Sequence, residues 1–144
     1  MGIFKNIFRK KELMITDTEL GPLKSYRNKG TKVLWKTKRS FLGSSVEILI
    51  HGNHSKLETN QKRILLEALN NEDLIRNQTE KLLIQQFEHS VMNFTSIKEL
   101  YDVLEIETNN KGFELTLQEK DGQFRFFTFC FKNGKKTELK IEEY

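Results

Sequence analysis

The chain has little cysteine, little proline and no long apolar run. Its 144 residues include one cysteine and one proline. A single cysteine excludes an internal disulfide, and Cys130, inside a phenylalanine-rich stretch, is expected to be a small buried apolar residue. No stretch approaches the roughly 18 apolar residues that span a bilayer, and the start of the chain lacks the apolar core of a signal peptide. These absences predict a cytoplasmic protein.

The motifs of common catalytic sites are also missing. The sequence has no G-x-S-x-G, no P-loop, no G-x-G-x-x-G and no H-E-x-x-H. His51 and His54 have a spacing that can chelate a metal, but no further ligands lie nearby to complete a set of three or four. A strand end followed by a polar loop is the favoured interpretation of this pair. We expect no enzyme, no metal and no cofactor.

The composition is that of one ordinary folded domain. Hydrophobic residues make up 37% and charged residues 31% of the chain, which is unlike a disordered protein. A chain of this length usually forms one domain. We therefore divide it into a basic amphipathic helix or tail over residues 1–12 and a single domain over residues 13–144.

Positive charge is concentrated at the start of the chain. Residues 1–39 hold eleven Lys and Arg against three Asp and Glu, whereas residues 40–144 hold thirteen against seventeen. Such asymmetry predicts an acidic partner, which can be an acidic protein face, an anionic membrane or a nucleic acid.

The first basic segment has the pattern of a short amphipathic helix. Its apolar stripe consists of Ile3, Phe4, Ile7 and Phe8, and its basic flank of Lys5, Arg9 and Lys10. Such a helix over residues 2–11 packs onto its own domain, remains a mobile tail, or anchors the protein at the inner face of an anionic membrane. The first two alternatives are favoured over the membrane anchor.

The second basic segment, residues 31–41, alternates like a half-buried strand. The apolar residues of one parity are Val33, Trp35 and Phe41. The cations of the other parity are Lys32, Lys36 and Lys38, and further cations precede the strand at Lys24, Arg27 and Lys29. A nucleic-acid site would need exposed aromatic residues between these cations. Because Trp35 has the core parity, nucleic acid is the less favoured partner.

Periodicity along the rest of the chain predicts an α+β fold. Residues 31–52 are predicted to form a β-hairpin, and two helices are predicted from about residues 57 and 72. The candidate N-cap of the first helix is Thr59 or Asn60, and Ser96 with Glu99 has the spacing of a capping box for a third helix. Turn signals at residues 109–110, 121–122 and 133–134 then divide the end of the chain into four short strands. We predict a curved antiparallel sheet, an N-terminal hairpin plus a C-terminal meander, with two or three helices on one face.

Residues 123–134 contain five of the eleven phenylalanines. In a regular strand Phe124 and Phe126 fall on one face, and Phe127, Phe129 and Phe131 on the other. The strand is therefore either covered on both faces or has a bulge between Phe126 and Phe127 that turns all five toward one core. A pocket or partner interface lined by one face is the alternative, and core packing is favoured.

A layout of turn, strand, helical pair and final strands extends over about residues 20–143. Its landmarks are Gly21, Leu23, Trp35, Gly52 and Gln61. This layout resembles small bacterial domains of unknown function, some of which are suspected immunity or accessory proteins of toxin systems. The resemblance implies a fold and no established catalysis, and it carries over no site residue.

Together these observations predict a non-enzymatic protein-binding module of a bacterial cytoplasm, with neutralisation of a toxin as its most specific version. The residues expected to steer an acidic protein partner are Lys32, Lys36, Lys38 and Arg39. The first alternative is a peripheral membrane protein anchored by residues 2–11. A nucleic-acid-binding domain is the second alternative.

Overall fold

The structure, a computed structural model, describes residues 12–88, 93–132 and 136–142. The strands within these ranges are β1 (Met14–Asp17), β2 (Gly21–Lys29), β3 (Lys32–Phe41), β4 (Ser44–Gly52), β5 (Tyr101–Thr108), β6 (Gly112–Glu119), β7 (Phe126–Lys132) and β8 (Lys136–Glu142). The helices are α1 (Thr59–Asn70), α2 (Glu72–Phe87) and α3 (Ile97–Leu100). The predicted helix over residues 2–11, with its membrane-contact residues, lies outside the described residues.

The eight described strands form one sheet, and their order in the sheet is their order along the chain. Neighbouring strands are antiparallel except β4 and β5, which are parallel. A parallel pair needs a crossover connection, and the helices lie in this connection. The α+β class and the mostly antiparallel sheet are confirmed. The N-terminal unit is larger than the predicted hairpin, because β1 and β2 extend β3 and β4 to a four-stranded meander.

The two faces of the sheet differ in what covers them. The inner face packs against the helices, and its fully buried residues include Trp35, Ile50, Ile106, Leu115 and Phe129. The helices add Leu65, Ala68, Ile75 and Leu83 to the same core cluster. The opposite, outer face has buried apolar residues of its own, which lie outside that cluster and are Leu34, Leu49 and Cys130. The described helices thus pack on the inner face, as predicted.

Side-chain caps fix the starts of two helices. The N-cap of α1 is Glu58 rather than the predicted Thr59 or Asn60, because its carboxylate accepts from the N–H groups of Asn60 at 3.2 Å and Gln61 at 2.7 Å. The Ser96 cap of α3 is confirmed by its hydrogen bond from the Glu99 N–H at 3.1 Å. Among the described helices, none has the length and apolar character needed to cross a membrane.

The phenylalanine-rich strand β7 is regular. Its register with β6 is unbroken from Phe126 to Lys132, and Phe127, Phe129 and Phe131 are 1%, 0% and 7% exposed in the core. Phe124 precedes the strand at a φ of 53° with 54% of its surface exposed, and Phe126 has the outer-face parity. Of the two alternatives for this strand, the bulge between Phe126 and Phe127 is therefore wrong. The predicted core role is confirmed for the three odd-numbered phenylalanines.

Candidate functional site

The outer face of β2 and β3 is basic. Lys24 of β2 lies opposite Lys36 of β3, and Arg27 lies opposite Leu34. Lys38 follows Lys36 by two residues and therefore shares its face. Lys24 and Lys38 are exposed, and Lys36 is half-buried. We define the basic outer surface as Lys24, Tyr26, Arg27, Lys36 and Lys38.

A β-bulge places Tyr26 on this surface. The register between β2 and β3 shifts between Ser25 and Arg27, which makes Tyr26 the extra residue of the bulge. Its side chain is 51% exposed. Lys36 Nζ and Arg27 Cζ each lie 5.7 Å from the centroid of the Tyr26 ring, within the range of cation–π attraction. The bulge thus presents an exposed aromatic ring between two cations.

No cation of the basic outer surface forms an ion pair with another described residue. Several cations elsewhere are paired: Lys62 Nζ lies 2.9 Å from Asp17 Oδ2, and Arg125 Nη2 lies 2.8 Å from Glu119 Oε1. Exposed ion pairs contribute little to stability, so the absence of pairing costs the fold little. It leaves the charges of the surface available to a partner.

The four residues predicted to steer a partner have separate positions. Lys36 and Lys38 lie together on the basic outer surface. Lys32 is exposed at the start of β3 and lines a cavity at that end of the sheet. The guanidinium of Arg39 donates hydrogen bonds to the backbone carbonyl oxygens of Glu19 and Leu20. Arg39 therefore supports the turn between β1 and β2.

Next to the basic outer surface, the outer face is acidic on β4 to β6. Its carboxylates lie in register on β4, β5 and β6, and they are Glu47, Glu105, Glu107 and Glu114. Burial raises the pKa of Glu105, and the charges of Glu107, Glu47 and Glu114 raise it further against the opposing charge of Arg27. Over β2 to β6, the outer face is thus divided into a basic half on β2 and β3 and an acidic half on β4 to β6.

His51 and His54 are not brought together with further metal-ligating side chains in the described part of the chain. His51 Nδ1 lies 2.9 Å from Gln61 Oε1, while His54 is exposed in the loop after β4. No group of three or more metal-ligating side chains is found among the described residues. His51 belongs instead to a hydrogen-bond network around Gln61.

Tyr26 is the member of the basic outer surface that sequence analysis does not find. The cations before and after it are recognisable from composition alone. A bulge, however, depends on how two strands pair, and the segment around Tyr26 contains no glycine to mark one. Tyr26 is therefore an exposed aromatic residue that only the pairing of β2 with β3 reveals.

Fold and surface together define an α+β domain with a strongly charged outer sheet face. Comparisons with protein-family models, with curated proteins and with solved structures find no match for this chain. What the protein does is therefore inferred from the chemistry of its own surface.

Proposed function

We propose that this chain is a non-enzymatic protein-binding module, which docks an acidic face of a partner protein on the basic outer surface. The observation that carries the proposal is the exposed ring of Tyr26 between Lys36 and Arg27. Tyrosine and arginine are enriched among the residues that dominate binding energy in protein interfaces. A tyrosine ring also gives a large contact area at a low cost in side-chain entropy.

The positive charge of the basic outer surface indicates that the partner's docking face is negatively charged. Four cations lie on two adjacent strands without ion pairs in the described chain. Carboxylates of a partner would pair with them and would accelerate the encounter, because complementary potentials raise association rates. Met14 is 64% exposed beside Lys24 and Lys36, at a groove of about 470 Å³. The surface thus offers apolar contact next to its charges.

The acidic half of the outer face favours a protein over a nucleic acid. Glu47 lies directly opposite Lys38 across β3 and β4, and Glu105 follows on β5. A phosphate backbone that crossed the sheet would be repelled by these carboxylates, since its affinity depends on neutralising phosphates. A protein surface carries charges of both signs and can complement both halves.

The finer version of the proposal is that the module neutralises a bacterial toxin. Its support is the resemblance of residues 20–143 to small bacterial domains, some of them suspected immunity or accessory proteins. A charge-steered surface suits this role, because electrostatic steering shortens the time before a partner is bound.

Affinity capture from host lysate tests the proposal. Nuclease-treated lysate is passed over the tagged wild-type chain and over Lys24→Glu/Lys36→Glu. We expect the wild type to retain a stoichiometric protein partner. The double variant should retain about tenfold less, because it replaces attraction by repulsion at the centre of the surface.

The matched control is Lys81→Glu/Lys111→Glu. Both lysines are exposed, one on α2 and one in the turn between β5 and β6, and the change in net charge is the same. This variant should capture as much partner as the wild type. Equal capture by all three proteins, or equal loss in both variants, would rule out the basic outer surface as the docking site.

Tyr26→Ala separates contact from charge. We expect this change to weaken binding of the captured partner by about 2 kcal/mol or more, as for a central interface residue. Its effect on the free energy of unfolding should stay within about 0.5 kcal/mol, because half of the surface of Tyr26 is exposed. Calorimetric titration and urea unfolding measure the two quantities. A loss of stability as large as the loss of binding would assign Tyr26 to the fold.

A further inference from the structure

A second polar site lies at one end of the sheet, apart from the basic outer surface. The turn before β3, the loop between β4 and α1 and the turn between β5 and β6 line an open cavity of about 650 Å³. Cavities of this size hold small molecules in other proteins. The charged and amide residues around its rim are Lys32, Asn53, Lys56, Glu58, Asn109 and Asn110, and Thr31 and Thr59 add hydroxyl groups.

The floor of the cavity is a hydrogen-bond network centred on Gln61, which is 5% exposed. Gln61 Oε1 accepts from the backbone N–H of His51 at 3.2 Å and from the Thr108 hydroxyl at 2.8 Å. Because a backbone N–H only donates, this contact fixes which end of the Gln61 amide is oxygen. Gln61 Nε2 therefore donates to Asn110 Oδ1 at 3.1 Å. The orientation of the Asn110 amide follows from that of Gln61.

Backbone donors fix the other two asparagines in the same way. Asn53 Oδ1 accepts from the N–H groups of Ser55 and Lys56, each at 2.9 Å. Asn109 Oδ1 accepts from the N–H groups of Lys111 and Gly112, each at 2.8 Å. The NH₂ groups of Asn53, Asn109 and Asn110 consequently have no acceptor among the described residues.

The carboxylate oxygens of the rim are also in use. The carboxylate of Glu58 accepts from two N–H groups of α1, so the protein itself closes the N-terminus of that helix. Lys32 and Lys56 are exposed and have no ion pair within the described residues. Each side-chain amide or carboxylate oxygen of this cavity thus already accepts a hydrogen bond, whereas three amide NH₂ groups and two ammonium groups remain as donors.

We propose that this cavity binds a small molecule bearing oxyanion groups, either carboxylate or phosphate. Its oxygens would accept from the three asparagine NH₂ groups and from Lys32 and Lys56. Charge-assisted hydrogen bonds of this kind are about twice as strong as neutral ones. The site lies on different residues from the protein-docking surface and does not depend on it.

Titration of the ¹⁵N-labelled full chain at constant ionic strength tests the proposal. Citrate and inorganic phosphate are the two probes, and they distinguish recognition of carboxylate from recognition of phosphate. At least one of them should shift the amide signals of residues 31–33, 51–59 and 109–111 to saturation. Glucose, which offers neutral hydroxyl groups of similar polarity, should give no saturable shift.

Two nearly isosteric variants isolate the role of the free donors. Asn109→Asp and Asn110→Asp keep the side-chain oxygen that accepts inside the protein and replace the free NH₂ group by a second oxygen. Each variant should lower the affinity for the more tightly bound of the two probe anions by about tenfold. Lys32→Met/Lys56→Met should do the same. Asn77→Asp introduces the same charge at an exposed position of α2 outside the cavity. Its affinity should equal that of the wild type.

Three results would overturn the proposal. These are no saturable shift with either anion, equal affinity of Asn110→Asp and Asn77→Asp, and saturable shifts with glucose. Thermal unfolding of every variant confirms that it is folded. The lysine double variant alters only exposed side chains without ion pairs in the described chain, so it keeps the test decisive if an aspartate variant is unstable.

Discussion

At the scale of single residues, a few buried polar groups tie distant parts of the chain together. The Thr108 side chain is fully buried on β5, and its hydroxyl donates to Gln61 of α1. The same Gln61 oxygen accepts from the N–H of His51 at the end of β4. An unpaired polar group in such a place costs about 1–3 kcal/mol. The network therefore holds two strands and a helix in a fixed relation.

Gln61→Leu tests this network. Leucine matches the size of glutamine but leaves the His51 N–H without its acceptor, and it leaves the Thr108 hydroxyl only the longer contact of 3.4 Å to the Leu49 carbonyl oxygen. We expect the free energy of unfolding to fall by about 2–3 kcal/mol, measured by urea denaturation. Gln85→Leu, on an exposed face of α2, should change it by less than about 0.5 kcal/mol. Similar small effects of both changes would contradict a role of the network in stability.

Asp17 makes stability depend on pH. Burial raises the pKa of Asp17, but hydrogen bonds from Lys62 and from the N–H groups of Leu20 and Glu19 outweigh it and hold the pKa below its ordinary 3.8. A carboxyl whose pKa is lowered in the folded state stabilises the fold above its unfolded pKa, and this stabilisation is lost as pH falls through the folded pKa. The contribution is therefore complete above about pH 5, begins to decline near the ordinary pKa of 3.8, and is lost only as pH falls through the lower pKa of the folded state.

Urea unfolding of the wild type and Asp17→Asn between about pH 2.5 and 7 measures this contribution. The variant should be less stable than the wild type at neutral pH, and the difference should shrink as the solution becomes acidic. Asparagine keeps the side-chain oxygen that accepts in the turn, so the change reports mainly on the charge. A difference that is constant over the whole range would show that the Asp17 charge adds no stability.

At the scale of elements, local pattern predicts what is periodic and misses what depends on pairing. The helices and the strands β3 and β4 repeat their apolar residues regularly, and the sequence predicts them. β2 has Gly21, Pro22 and Asn28 in it, and Leu23 is its buried residue. Its strand conformation comes from hydrogen bonding to β1 and β3, because β-structure depends on neighbouring strands more than on local preference. The parallel pair of β4 and β5 likewise arises from the helical crossover and has no local signal.

The cap of α1 gives a prediction at this scale. Glu58 holds two N–H groups of the first helical turn, which otherwise have no partner within the helix. Glu58→Ala should therefore destabilise the protein by about 1 kcal/mol. Glu80→Ala removes a glutamate from the middle of α2, where the described chain gives it no hydrogen bond, and should have a smaller effect. Equal unfolding midpoints of Glu58→Ala and the wild type in urea would contradict the capping role.

At the scale of the whole molecule, the order of the strands places basic and acidic parts of the chain side by side on the outer face of the sheet. The basic first part of the chain supplies β2 and β3, and the later acidic residues lie on β4 to β6 of the same outer face. The sequence predicts Lys36 and Lys38 as neighbours because strand alternation suffices for that. It does not predict that Arg39 binds backbone carbonyls or that a bulge exposes Tyr26, since both depend on contacts with other strands.

The association rate of the purified protein with its captured partner, measured from about 50 to about 500 mM NaCl, tests the central claim most directly. The wild-type rate should fall about tenfold or more over this range, because screening weakens steering by the basic outer surface. Lys24→Glu/Lys36→Glu should associate more slowly at low salt and depend less on salt, and Lys81→Glu/Lys111→Glu should follow the wild type. Identical rates and salt dependence for the two double variants would contradict the claim that this surface steers and binds an acidic partner.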